Sequence, residues 1–188
     1  MTWLPFDLHP EYPVVGISRA ELVARYGGTF HERLRQSFNA SGLAYNPPAE
    51  VVPNTMRALR LTELARAHAL HPQVHDRLMR AYWEEGRDIG DPAELLTLAV
   101  EVGLDHDEAA EVIAGDAFRE RVLSSTAQAH SIGVTGVPAF LLDRRLLVLG
   151  AQPRAVFEHA LEQLAGNPPP NEEHRKADTG AADDYRPG

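Results

Sequence analysis

The sequence predicts an α/β fold in which short apolar strands near both ends flank a long helical block. Three observations carry this. Trp3 to Leu8 is an apolar run closed by His9-Pro10-Glu11-Tyr12-Pro13. Between Ser18 and Ile132, apolar residues recur at helical spacing, framed by helix start and stop signals. After Gly133-Val134-Thr135-Gly136-Val137-Pro138-Ala139-Phe140 the period falls to that of strands.

Composition narrows the function classes. A chain of 188 residues with 44% hydrophobic content is long enough for one real core, with room for an insertion. A net charge of −9 argues against nucleic acid or an anionic membrane as partner, because phosphates are met by clustered basic residues. No run approaches 18 apolar residues, so no membrane span is expected. Met1-Thr2-Trp3-Leu4-Pro5-Phe6-Asp7 has neither a basic n-region nor an apolar h-region, so it does not read as a signal peptide. The chain contains no cysteine, which removes disulfides, thiolate metal sites and thiol nucleophiles within it. A cytoplasmic protein is the expectation.

In chain order, Trp3 to Leu8 reads as a strand with a proline-rich exit. Ser18-Arg19-Ala20-Glu21 is a capping box whose helix ends at Gly27-Gly28. Thr29 begins a second helix, ending near Ser41-Gly42. Leu43 to Pro53 is a proline-bearing loop, and Asn54 caps a long amphipathic helix with Ala58, Leu61, Ala65 and His68 on one face. Pro72 starts the next helix. Asp91-Pro92-Ala93-Glu94 combines an N-cap, a proline at N1 and an acid at N3. Gly103 ends that helix. Asp107 to Ala114 forms a short helix, and Asp116 caps the last helix of the block. Ala139 to Leu142 and Leu146 to Leu149 form a tight hairpin around Asp143-Arg144-Arg145. A final helix runs from Pro153 to Leu164. From Gly166 onward the composition is that of a disordered tail.

Several motifs in this order carry a resemblance. They are Trp3-Leu4-Pro5-Phe6-Asp7-Leu8-His9-Pro10, Val52-Pro53-Asn54-Thr55 with Ala58-Leu59-Arg60, Arg87-Asp88-Ile89, and Gly133 to Phe140 with Gly150-Ala151-Gln152. Over Trp3 to about Leu164 the chain resembles the FrnE-like branch of the DsbA family. That family includes 2-hydroxychromene-2-carboxylate isomerases and kappa-class glutathione transferases. The resemblance implies a truncated thioredoxin fold with a large all-helical insertion. Residues 1–16 and 133–165 would be the thioredoxin-like part, residues 17–132 the insertion and residues 166–188 the tail. It also implies that the family's first strand and helix, with their Cys-x-x-Cys, lie outside this sequence. The expectations are then that the true start lies upstream of Met1, or that the chain is a redox-dead remnant. As written, it is expected to be marginally stable or to aggregate.

The resemblance implies site residues as well. Thr135, Gly136, Val137 and a cis Pro138 would face the active-site pair, and the backbone of Val137 would bond an extended thiol peptide or glutathione. Gly150, Ala151 and Gln152 precede a helix N-terminus, which favours an anionic group. No residue is assigned as catalytic, and no cofactor is expected beyond glutathione as a possible substrate. The implied activity is thiol-disulfide oxidoreduction, with no nucleophile present. The alternatives are a glutathione-dependent isomerase or transferase and a non-catalytic thiol-peptide binder. His68, His71 and His75 invite a metal reading, but Pro72 interrupts the helix between them and no metal is expected. Arg87 and Asp88 are expected to form a local polar contact.

Overall fold

A computed structural model of the chain describes residues 1–27 and 29–166. The expected tail, residues 167–188, lies outside them. The elements run β1 (Ile17–Ser18), α1 (Arg19–Tyr26), α2 (Thr29–Ala40), β2 (Val51–Val52), α3 (Met56–Ala67), α4 (His71–Trp83), α5 (Pro92–Glu101), α6 (His106–Ala114), α7 (Arg119–Ser131), β3 (Ala139–Leu142), β4 (Leu146–Leu149) and α8 (Arg154–Gly166). Backbone contacts divide the chain into two compact units, with the boundary in sequence between Thr135 and Gly136.

The first unit is built on α3 to α7. Leu61 and Ala65 of α3 and Leu95 and Ala99 of α5 are 0% exposed. They share one apolar cluster with Val74, Leu78 and Ala81 of α4 and Ala109, Val112 and Ile113 of α6. Each large side chain so buried contributes about 1.5–3 kcal/mol. A smaller cluster joins Tyr12, Ile17, Leu22 and Val52, where β1 and β2 pair antiparallel through Ile17 and Val52. Gly16 makes that pairing possible. Its φ is +80°, and a Cβ there would lie 2.4 Å from the Val52 carbonyl.

Helix ends follow local chemistry. The Ser18–Glu21 capping box forms in full. The Asp91 carboxylate accepts from the N–H groups of Ala93 and Glu94. α5 and α7 both end in Schellman motifs. Leu104 N–H donates to Ala99 and Val134 N–H to Ala129, with Gly103 and Gly133 left-handed at φ +91°. α3 ends the same way without a glycine: Leu70 N–H reaches Ala65, and Ala69 sits at φ +58°. A left-handed alanine costs about 1–2 kcal/mol, and glycine loses about 0.5–1 kcal/mol more freedom on folding. Ala69→Gly is therefore expected to stabilise the protein by about 0.5–1 kcal/mol. A denaturant midpoint that stays level or falls would refute this.

Four expectations are corrected. Trp3 to Leu8 is not a strand, because no strand pairs with it among the described residues. Its polar groups bond helix side chains instead. Arg66 donates to Trp3 O (2.6 Å), Ser125 Oγ donates to Pro5 O (2.7 Å), and Asp7 N–H donates to Thr126 Oγ1 (2.9 Å). α6 is capped by Asp105, whose carboxylate accepts from Asp107 and Glu108 N–H, so the helix starts earlier than Asp107. α7 is preceded by Phe118 at φ +63°, while the Asp116 carbonyl accepts from Arg119 N–H and its carboxylate ion-pairs with the Arg119 side chain at 3.8 Å, capping no N–H of the helix. Arg87 ion-pairs with Glu94, Glu85 and Glu101. Asp88 accepts instead from Gly90 N–H at 2.8 Å, so the two side chains act separately.

The second unit is the β3–β4 hairpin with α8. Its register pairs Ala139 with Leu149, Phe140 with Val148, Leu141 with Leu147 and Leu142 with Leu146. Arg145 N–H donates to Leu142 O at the turn, and Asp143 and Arg144 are both left-handed, at φ +51° and +54°. That is the backbone of a type I′ turn, whose twist matches a right-handed hairpin. Phe140 meets Phe157 of α8 edge to face, with centroids 4.9 Å apart.

Candidate functional site

The sequence-predicted site residues fall on both sides of the unit boundary. Thr135 closes the first unit, just after buried Val134. Val134 is held by the Schellman bond and by His130, whose Nδ1 donates to its carbonyl at 2.9 Å. Gly136, Val137, Pro138, Gly150, Ala151 and Gln152 belong to the second unit.

Within that unit the hairpin brings two of the predicted stretches together. The Val137–Pro138 peptide bond is cis. Gly150 N–H donates to the Pro138 carbonyl at 2.8 Å, which continues the ladder past Ala139. In an antiparallel pair, opposed residues alternate between bonded and non-bonded positions. The bond at Pro138 and Gly150 sets the phase: Phe140 with Val148 and Leu142 with Leu146 are the bonded pairs. The backbone groups of Ala139 and Leu141 therefore point to the outer edge of β3, and Val137 precedes them across the cis bond. Val137 is 54% exposed.

The other stretch is braced. Gln152 Nε2 donates to Leu149 O at 2.8 Å, and its N–H donates to Gly150 O at 3.0 Å. Gly150 is left-handed, at φ +79°. Gln152 thus braces the exit from β4 into α8. Beside it, β4 and α8 enclose a cleft of about 320 Å³ that includes Val148, Val156, His159 and Gln163. Gln163 Nε2 and His159 Nε2 are hydrogen-bonded at 3.0 Å. His159 and Gln163 were not singled out from sequence; their i, i+4 spacing was the only signal.

The remaining candidates resolve into structure. Asn54 is not the N-cap of α3, which is Thr55 with no side-chain cap bond; Asn54 lies one residue earlier, where its Oδ1 accepts from Met56 N–H at 3.0 Å and its Nδ2 donates to Tyr12 O at 2.8 Å, tying in the N-terminal loop. His68 pairs with Glu108 at 2.9 Å. His75 stacks on Trp3 at 4.8 Å and on His71 at 5.8 Å, and burial pushes the pKa of both histidines down. Among the described residues no three His, Asp or Glu side chains form a metal-sized cluster. Burial pushes the Asp7 carboxyl up, an effect that the His9 N–H partly offsets. No helix among the described residues is long and apolar enough to cross a membrane.

Residues 1–162 match the model of the DSBA-like thioredoxin domain. The chain belongs to the DsbA-like thioredoxin family. Its fold is correspondingly a helix-rich α/β arrangement with small sheets. A probable DsbA oxidoreductase from Streptomyces coelicolor is similar at 32% identity and a TM-score of 0.79, over 88% of this chain and 75% of that one. A 2-hydroxychromene-2-carboxylate isomerase shares the fold at 21% identity and a TM-score of 0.65, over 89% of this chain and 76% of that one. No curated protein sequence matches. This family member has no cysteine in its 188 residues.

Proposed function

We propose that the outer edge of β3, from Gly136 to Leu141, is a binding edge for thiol or disulfide peptides or for glutathione, of the FrnE-like oxidoreductase type. We propose equally that these 188 residues carry out no redox turnover by themselves. The observation that carries the first part is the ladder phase, which turns the backbone of Ala139 and Leu141 outward for strand addition, next to exposed Val137. The second part follows from chemistry. Disulfide reduction begins when a thiolate attacks one sulfur and expels the other, and a second thiol then resolves the mixed disulfide. A chain with no cysteine supplies neither thiolate.

Insulin reduction tests the redox part. The purified chain with dithiothreitol is expected to match dithiothreitol alone, and acceleration above that baseline would refute the proposal. Amide chemical shifts test the edge. An extended cysteine-containing peptide is expected to shift Val137, Ala139 and Leu141 and to spare Phe140 and Leu142. The reverse alternation would place binding elsewhere.

A further inference from the structure

A second cleft lies wholly within the first unit, remote in sequence from the β3 edge. Arg19, His31, Arg35, Tyr45 and Asn46 line a volume of about 280 Å³, and Pro47, Pro48 and Ala49 complete its walls. Its charge is one-sided. Two guanidiniums and an imidazole face it, and no carboxylate lines it among the described residues. In a chain of net charge −9 that is a local inversion.

Arg19 is the anchor. It is half-buried, and its Nη2 donates to the carbonyls of Pro48 at 2.6 Å and Val51 at 3.4 Å. These are neutral partners. Among the described residues no carboxylate comes within ion-pair distance of it. Charges withdrawn from water are ordinarily paired with opposite charge, and here the chain's described residues supply none. Arg35 is the exposed partner. Its side chain is 57% exposed, reaches Glu32 only at 3.9 Å, and lies over the Tyr45 ring at 5.8 Å. His31 Nδ1 and the Tyr45 hydroxyl are hydrogen-bonded at 2.9 Å, which fixes the floor between the two arginines. Both arginines act on that floor. Burial pushes the His31 pKa down, and Arg19 and Arg35 push it the same way. At Tyr45, burial pushes the phenol up while the two arginines work against it.

The walls fix the rest of the ligand. Tyr45, Pro47 and Pro48 line it with aromatic and apolar atoms, so a bare inorganic ion would leave most of the cleft unused. We propose that this cleft binds a small organic anion, with its carboxylate between Arg19 and Arg35 and its apolar body against Tyr45 and the two prolines. Planar guanidinium forks suit a carboxylate in geometry as well as charge.

Benzoate is the probe, with acetate and inorganic phosphate as comparison arms, all at one ionic strength set with sodium chloride. The Trp83 ring lies 5.9 Å from the Tyr45 ring, so tryptophan fluorescence reports on the floor. Benzoate is expected to change that emission saturably and to raise the melting temperature of the full chain. Acetate, which lacks the body, is expected to do so far more weakly. Arg35→Gln is expected to weaken benzoate binding by roughly tenfold or more while leaving the melting temperature without ligand unchanged. Arg35→Lys is expected to fall between, since it keeps the charge and loses the fork. A response that does not saturate, or one that Arg35→Gln leaves intact, overturns the site. A stronger response to phosphate than to benzoate overturns the organic body.

Discussion

Glu63→Ala is expected to destabilise the protein by about 3 kcal/mol, the lower part of the range for breaking a buried ion pair. Glu63 is 0% exposed in the middle of α3. Its carboxylate accepts from Arg66 Nε and Nη2 at 3.1–3.2 Å and from Arg121 Nε at 2.5 Å. Removing it leaves two guanidiniums without their common partner. Their side chains are 22% and 57% exposed, so both can recover some hydration, which places the cost at the low end. The converse change is harsher. Arg66→Met with Arg121→Gln strands a dry carboxylate and is expected to cost more than Glu63→Ala. Replacing all three with apolar residues is expected to recover most of the loss, because desolvation of the charges then disappears with them. Urea midpoints of the four proteins check this order. A Glu63→Ala midpoint indistinguishable from the parent would show that the pair contributes nothing.

Arg60→Met is expected to cost about 1–3 kcal/mol through a different mechanism, the buried Ile113 carbonyl and the part-buried Gly115 carbonyl left without their donor. Arg60 is 4% exposed, and burial holds its guanidinium below its ordinary pKa. Its Nη1 donates to Gly115 O and its Nη2 to Ile113 O at 3.3 Å. These are carbonyls at the C-terminal end of α6, where the helix has no further N–H groups to offer and its dipole is negative. Methionine keeps the volume and loses both bonds. Arg60→Lys keeps the charge but reaches one carbonyl at a time, so its midpoint is expected to lie between parent and methionine variant. The experiment is the same denaturant titration, and a methionine variant as stable as the parent would refute the role.

Much of the fold could be read from local chemistry. Ser18–Glu21, Asp91-Pro92 and Gly103 mark helix ends because capping is decided within a few residues. The hairpin was legible because eight apolar residues flank a three-residue turn at Asp143 to Arg145. What failed depends on distant partners. The Trp3–Leu8 run has a strand's composition, but strands are defined by neighbours, and its neighbours are α3 and α7. The α3 end was hidden because Ala69 does a glycine's work. Asp105 and Asp107 are both good caps by type, and only the helix register distinguishes them. The candidate edge was legible for a similar reason, since glycine and proline punctuate it from Gly133 to Gln152. The basic cleft was not. Arg19, His31, Arg35 and Tyr45 are spread over α1, α2 and the loop after it, and no period in the sequence connects them.

The anchoring of the first residues has a consequence for how they come loose. Trp3, Pro5 and Asp7 are every second residue, and each is held by a different side chain: Arg66, Ser125 and Thr126. A strand in a sheet loses its bonds together, because the partner backbone moves as one piece. Here each attachment can open alone, with the other two intact. Detachment of this segment is therefore stepwise and local, and it does not require α3 or α7 to unwind.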